Sequence, residues 1–68
     1  MITYTIDVLD ALSEQGYTSY RLRKDKIMGE RTIQQLRSGQ LASWATIDTI
    51  CRLLRCQPGD LLKYQEEG

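Results

Sequence analysis

The 68-residue sequence has no histidine, no phenylalanine, one proline and two cysteines, and its nine basic and nine acidic residues cancel. Each scarcity excludes something. A structural zinc site needs four Cys/His-type ligands, which Cys51 and Cys56 cannot supply within one chain, so no metal is expected. Two cysteines do not build a disulfide framework either. Both lie in an apolar stretch, where a free thiol behaves as a small buried hydrophobe. They read as reduced core thiols in a reducing, cytoplasmic compartment, with a redox or disulfide role as the alternative. No apolar run approaches the ~18 residues of a membrane span. The opening MITYTIDVLD lacks the basic n-region and unbroken apolar stretch of a secretory signal. Catalytic chemistry is poorly supplied: there is no Gly-rich phosphate loop after a strand and no carboxylate pair with room for a pocket. Asp7 and Asp10 are spaced as on a solvated first helix. An enzyme is not expected, nor a cofactor or small-molecule ligand.

What remains is enough for one small domain over 1–68. A chain of this length buries only about 60% of its unfolded surface, so a compact helical fold suits it. Val8, Ala11 and Leu12 fall at helical spacing before Gly16. Thr18 or Ser19 can cap a second, short helix whose sparse apolar positions are Tyr20, Leu22 and Ile27. Gly29 precedes a third helix from Glu30 to about Ser38, which Gly39 stops. Ser43 caps a fourth with the stripe Trp44, Ile47, Ile50, Cys51, Leu54, and Pro58 opens a final turn. The predicted class is all-α: five helices, with Leu12, Leu22, Ile33, Leu36, Ile47, Ile50 and Leu54 as core and Trp44 partly buried beside it. Ile2 and Tyr4, and Leu62 and Tyr64, alternate as short strands do. They can form a β-ladder within one chain or pair across a two-fold axis.

Residues 18–39 carry the functional signal. Leu22, Met28, Ile33 and Leu36 are spaced as the anchors of a helix-turn-helix at about 18–38, with an αα-hairpin whose polar face is merely solvated as the alternative on spacing alone. They leave Glu30, Arg31, Thr32, Gln34, Gln35, Arg37 and Ser38 outward, rich in side chains that pair bidentately with base edges. The zero net charge hides a pattern. Arg21, Arg23, Lys24, Lys26, Arg31 and Arg37 face only Asp25 and Glu30, so residues 17–41 are +4. A basic face on a neutral chain suits a phosphate-binding surface, with a solvated helix face as the alternative on charge alone.

The stretches TSYRLRKDKIMGERTIQQLRSG and TIDTICRLLRCQPGDLLKY resemble the short Cro/lambda-repressor-type helix-turn-helix regulators of Gram-positive bacteria and mobile elements. The resemblance covers nearly the whole chain. It implies sequence-specific double-stranded DNA binding, by a regulator that is a repressor, through the helix at about 30–38. By position in the motif it places base reading on Glu30, Arg31 and Gln35. It places phosphate contacts on Ser19, Thr32 and Ser38, beside the basic residues Arg23, Lys24, Lys26 and Arg37. The pattern departs from the family at three places. Arg23 stands where a small residue is common, Ile27 where a Gly opens the turn, and Gly29 where Ser or Thr caps the helix. Arg23 must then send its guanidinium outward, widening the interhelical angle or adding a phosphate contact. A single module of this kind reaches few base pairs, so a homodimer is expected. The rival reading is a protein-interaction or antitoxin-like module on the same fold. Tyr4, Tyr17, Tyr20 and Tyr64 read as core or rim residues, with stacking platforms for single-stranded nucleic acid as the alternative.

Overall fold

A computed structural model describes residues 1–66. The elements run β1 (Ile2–Tyr4), α1 (Val8–Glu14), α2 (Ser19–Lys24), α3 (Glu30–Arg37), α4 (Trp44–Leu54), α5 (Pro58–Leu61) and β2 (Leu62–Tyr64). Most helices start on a side chain that satisfies an otherwise orphaned backbone N–H. Asp7, Thr18 and Ser43 accept from the N–H groups of Asp10, Arg21 and Thr46. Thr18 is thus the cap of α2, and Ser19 is its first helical residue. At the head of α5 the Gln57 N–H donates to the Asp60 carboxylate at 2.9 Å, across Pro58. Gly29 offers no side chain to α3. The carboxylate of Glu30 in the first turn instead meets the positive end of the helix dipole.

One device ends α1 to α4. A left-handed residue follows each helix: Gly16 (φ 89°), Lys26 (φ 56°), Gly39 (φ 80°) and Arg55 (φ 54°). The next N–H then reaches back five residues, from Tyr17 to the Leu12 carbonyl at 2.8 Å and from Ile27 to that of Leu22 at 2.9 Å. Gln40 reaches Gln35 at 2.9 Å and Cys56 reaches Cys51 at 3.0 Å. This is the Schellman closure. It corrects the expectation about the helix-turn-helix turn. The residue in the left-handed conformation is Lys26, not Ile27, so Ile27 is not a misplaced glycine. A non-glycine residue there costs roughly 1–2 kcal/mol, which the hydrogen bonds of the turn must offset.

The core comprises Val8, Leu12, Leu22, Met28, Ile33, Leu36, Ala42, Ile47, Ile50 and Leu61. It draws on every helix and on both loops flanking α3. Two expected positions differ. Leu54 is only half-buried, at the margin of the cluster. Trp44 is 74% exposed rather than tucked beside the core. Its place at the first position of α4 explains this, because a helical side chain leans toward the N-terminus and here passes the edge of the core. Tyr20, expected inward on α2, is likewise exposed at 67%. Two residues from the fully buried Leu22, it lies on the opposite face of the helix.

The chain ends pair within the molecule. β1 and β2 run antiparallel with Ile2 opposite Tyr64, Thr3 opposite Lys63 and Tyr4 opposite Leu62. From this ladder the Tyr4 hydroxyl donates to the Gln40 carbonyl and accepts from the part-buried Ala42 N–H, both at 3.0 Å. It thereby ties the loop after α3 to the terminal sheet. Tyr4→Phe removes the acceptor and leaves the Ala42 N–H unpaired. The expected loss is about 1–2 kcal/mol in a urea melt, with faster exchange of the Ala42 amide. An unchanged melt would mean that this bond does not hold the loop.

Candidate nucleic-acid interface

Ile33 and Leu36, both buried, hold α3 against α1 and the remaining core. Residues at i, i+3, i+4 and i+7 share a helix face, so Arg31, Gln34, Gln35 and Ser38 line up on the side away from these anchors. Arg31, Gln34 and Ser38 are exposed, and Gln35 is half-buried at the edge of the stripe. Gln34, which the motif resemblance does not assign to base reading, occupies the middle of this face. Helical spacing alone was the signal that could have included it.

The turn of the motif is anchored by Leu22. Its carbonyl accepts from both Ile27 (2.9 Å) and Met28 (3.2 Å), and its side chain is fully buried. Across this turn Arg23 at the end of α2 meets Glu30 at the start of α3. The Arg23 guanidinium donates to Glu30 Oε2 at 2.7 Å, and Gln34 Nε2 donates to Oε1 at 3.1 Å. Arg23 therefore braces the two helices instead of extending its guanidinium freely outward. Both oxygens of Glu30 are engaged inside the protein. The hydrogen bonds from Arg23 and then Gln34 hold the Glu30 carboxyl below its ordinary range.

The other expected phosphate contacts fall in three places. Ser19 and Arg37 line one surface groove of about 230 Å³, together with Asp7, Leu9 and Asp10. Lys24 and Lys26 lie at the far end of α2, the former with Nζ 5.8 Å from the Tyr20 ring centroid. Thr32 is half-buried and lines a groove with Met28, Gly29, Ala45, Thr46 and Thr49, so it faces α4 rather than sharing the Arg31 stripe. Ser38 lies just past α3, its hydroxyl donating to the Gln35 carbonyl at 3.1 Å. Arg21 is occupied by Asp25 at 3.3 Å, with its guanidinium 4.9 Å from the Tyr17 ring centroid. Among the described residues the ion pairs are Arg21–Asp25 and Arg23–Glu30. Lys24, Lys26, Arg31 and Arg37 thus keep unpaired charges around the motif.

Residues 8–67 match the Cro/C1-type HTH DNA-binding domain. The chain belongs to this family. It is also 30% identical over 66 residues, 97% of this chain and 79% of the relative, to the uncharacterized HTH-type transcriptional regulator YozG of Bacillus subtilis (strain 168). No solved structure matches. The family is one of DNA-binding domains, not a class of enzymes.

In this Cro/C1-type domain the Arg23–Glu30 brace gives a pH signature. A carboxyl whose folded pKa is depressed stabilises the fold above its unfolded value, and that contribution is lost as pH falls through the folded value. For Glu30 the window opens near pH 4.5 and extends downward. In a carbon-detected titration Glu30 is expected to protonate below the ordinary glutamate range, and Arg23→Ala should move its midpoint up. Coincident midpoints for Glu30 in both proteins would show that the brace is absent in solution.

Proposed function

We propose that the protein is a sequence-specific regulator of transcription, acting as a repressor, that inserts α3 into the major groove of double-stranded DNA. The observation that carries this reading is the polar stripe Arg31, Gln34, Gln35 and Ser38 on a helix fixed by Ile33 and Leu36. Arg pairs with guanine O6 and N7, and Gln with adenine N6 and N7, which is the chemistry of direct readout. Arg31 and Gln35 are proposed as base readers. Glu30, with both oxygens engaged, is proposed to orient the helix start and to reject misplaced phosphates rather than to seek a base. Ser19, Lys24, Lys26, Arg37 and Ser38 are proposed to hold the backbone, with Arg23 and Thr32 at the margin. The family membership and the name of the Bacillus relative support the DNA and regulatory parts of the reading.

The whole span 1–68 is read as one domain, working in the reducing cytoplasm as a homodimer. Two recognition helices about 34 Å apart would meet successive major grooves. Because β1 and β2 already pair within the chain, strand exchange is not needed for this. The surface suited to pairing holds Ile2, Leu41, Trp44 and Tyr64, all exposed and lining one groove of about 250 Å³. The same apolar patch favours the rival reading, a protein-interaction or antitoxin-like module. Selection of bound duplexes from a random pool separates the two. A recovered motif, repeated as a palindrome with a half-site spacing near one helical turn, and affinity falling with salt as several counterions are released support DNA binding. Recovery of no motif together with salt-independent association would remove it.

A further inference from the structure

We propose that Cys51 and Cys56 form a site of reversible thiol oxidation, closing to an intramolecular disulfide on reaction with a small hydroperoxide. This rests on the corner between α4 and α5 and not on the DNA-binding reading. Arg55 is left-handed, and the Cys56 N–H bonds the Cys51 carbonyl at 3.0 Å. A contact between the side chains at its first and last positions frequently accompanies a Schellman closure. At the ends of α1 and α2 those positions hold the apolar pairs Leu12/Tyr17 and Leu22/Ile27. At the end of α4 they hold two thiols.

The backbone bond confines the two Cα atoms to less than about 7 Å by standard chain dimensions, close to the range that a disulfide requires. Both thiols are free and half-buried. They also line one open groove of about 330 Å³ with Trp44, Asp48, Gln57 and Pro58, which gives a small reagent access. Burial first, and then the neighbouring Cys51, push the Cys56 thiol up. The thiolate rather than the thiol is the nucleophile, so closure is faster at alkaline pH. The Cys51 sulfur attacks one peroxide oxygen, the O–O bond breaks, and a sulfenic acid and water (for an organic hydroperoxide, an alcohol) form. The Cys56 sulfur then attacks the Cys51 sulfur, the S–O bond breaks, and the second oxygen leaves as water. Two thiols are oxidised by two electrons and the peroxide is reduced. A disulfide closing so short a loop beside an open groove is within reach of small reducing thiols.

The test treats dilute folded protein with hydrogen peroxide, blocks remaining thiols with an alkylating agent and weighs the intact chain. The expected product is a monomer lighter by two hydrogen atoms that takes up no alkyl group. It regains both thiols with dithiothreitol and is absent from Cys51→Ser and Cys56→Ser proteins. In guanidinium the same closure should be slower by about tenfold or more, because the unfolded chain no longer holds the sulfurs together. Two thiols still open to alkylation, only chain-to-chain disulfides, only sulfinic acid, or equal rates folded and unfolded would each overturn the proposal.

Discussion

Leu22→Ala is expected to lower the unfolding free energy by about 2–5 kcal/mol, the usual range for deleting a buried leucine side chain. Leu22 is fully buried and is the one buried residue of α2. No other residue of that six-residue helix is buried: Tyr20 faces away, Ser19 is half-buried, Arg21, Arg23 and Lys24 are exposed, and the Arg23–Glu30 brace lies at the surface. A single core of this size rarely supplies more than about 3–5 kcal/mol. The variant should therefore be largely unfolded at 25 °C, not merely weakened. Leu54→Ala provides the contrast. Leu54 is half-buried at the core margin, so its loss should cost clearly less. Urea melts of both proteins, read by far-UV circular dichroism, decide the matter. Similar midpoints for the two variants, or a loss below about 1 kcal/mol for Leu22, would mean that α2 is held by something other than this side chain.

Arg31→Ala should relax preference at particular base pairs by about 1–3 kcal/mol of discrimination, and Gln35→Ala should do so at neighbouring ones. The effect is expected on specificity because Arg31 belongs to the exposed stripe of α3 and makes no ion pair among the described residues. Lys24→Ala should behave differently. Its charge lies on α2, away from that stripe, so all duplexes should weaken alike and the salt slope should fall by about one counterion. Gln34→Ala has two expected consequences, since Gln34 shares the stripe and also donates to Glu30. Competition binding with a selected duplex and a scrambled one measures each ratio. If Arg31→Ala left the ratio between selected and scrambled duplexes unchanged, α3 would not be reading bases through this residue.

Much of this architecture is legible in the sequence because it is local. Ser43 before the Ile47–Ile50 stripe, Pro58 at the head of α5 and Gly39 after α3 each act through bonds to residues a few positions away. Their neighbours in the sequence are their partners in space. The buried anchors Leu22, Met28, Ile33 and Leu36 were legible for the same reason, since helical period alone assigns their face. Periodicity stops there. It says which side of a helix is apolar but not where the helix overruns the core, which is why Trp44 is exposed. Nor does it announce a left-handed residue that is not glycine, so Lys26 and Arg55 look like ordinary surface charges until the backbone is seen.

By itself, then, the sequence determined a helix-turn-helix with a basic, glutamine-bearing third helix and chain ends ready to pair. Only the tertiary structure decided that β1 and β2 pair with each other, since the backbone hydrogen bonds of a ladder are the same within a chain as between chains. It also decided that Arg23 and Glu30 brace the motif, although a carboxylate at the start of a recognition helix reads equally well as a base contact. And it put Cys51 and Cys56 at the two ends of one closed turn. In each case the deciding quantity is a distance between groups whose partners the sequence does not name. Such a distance exists only once the ten buried residues have packed and the helices have been fixed against one another.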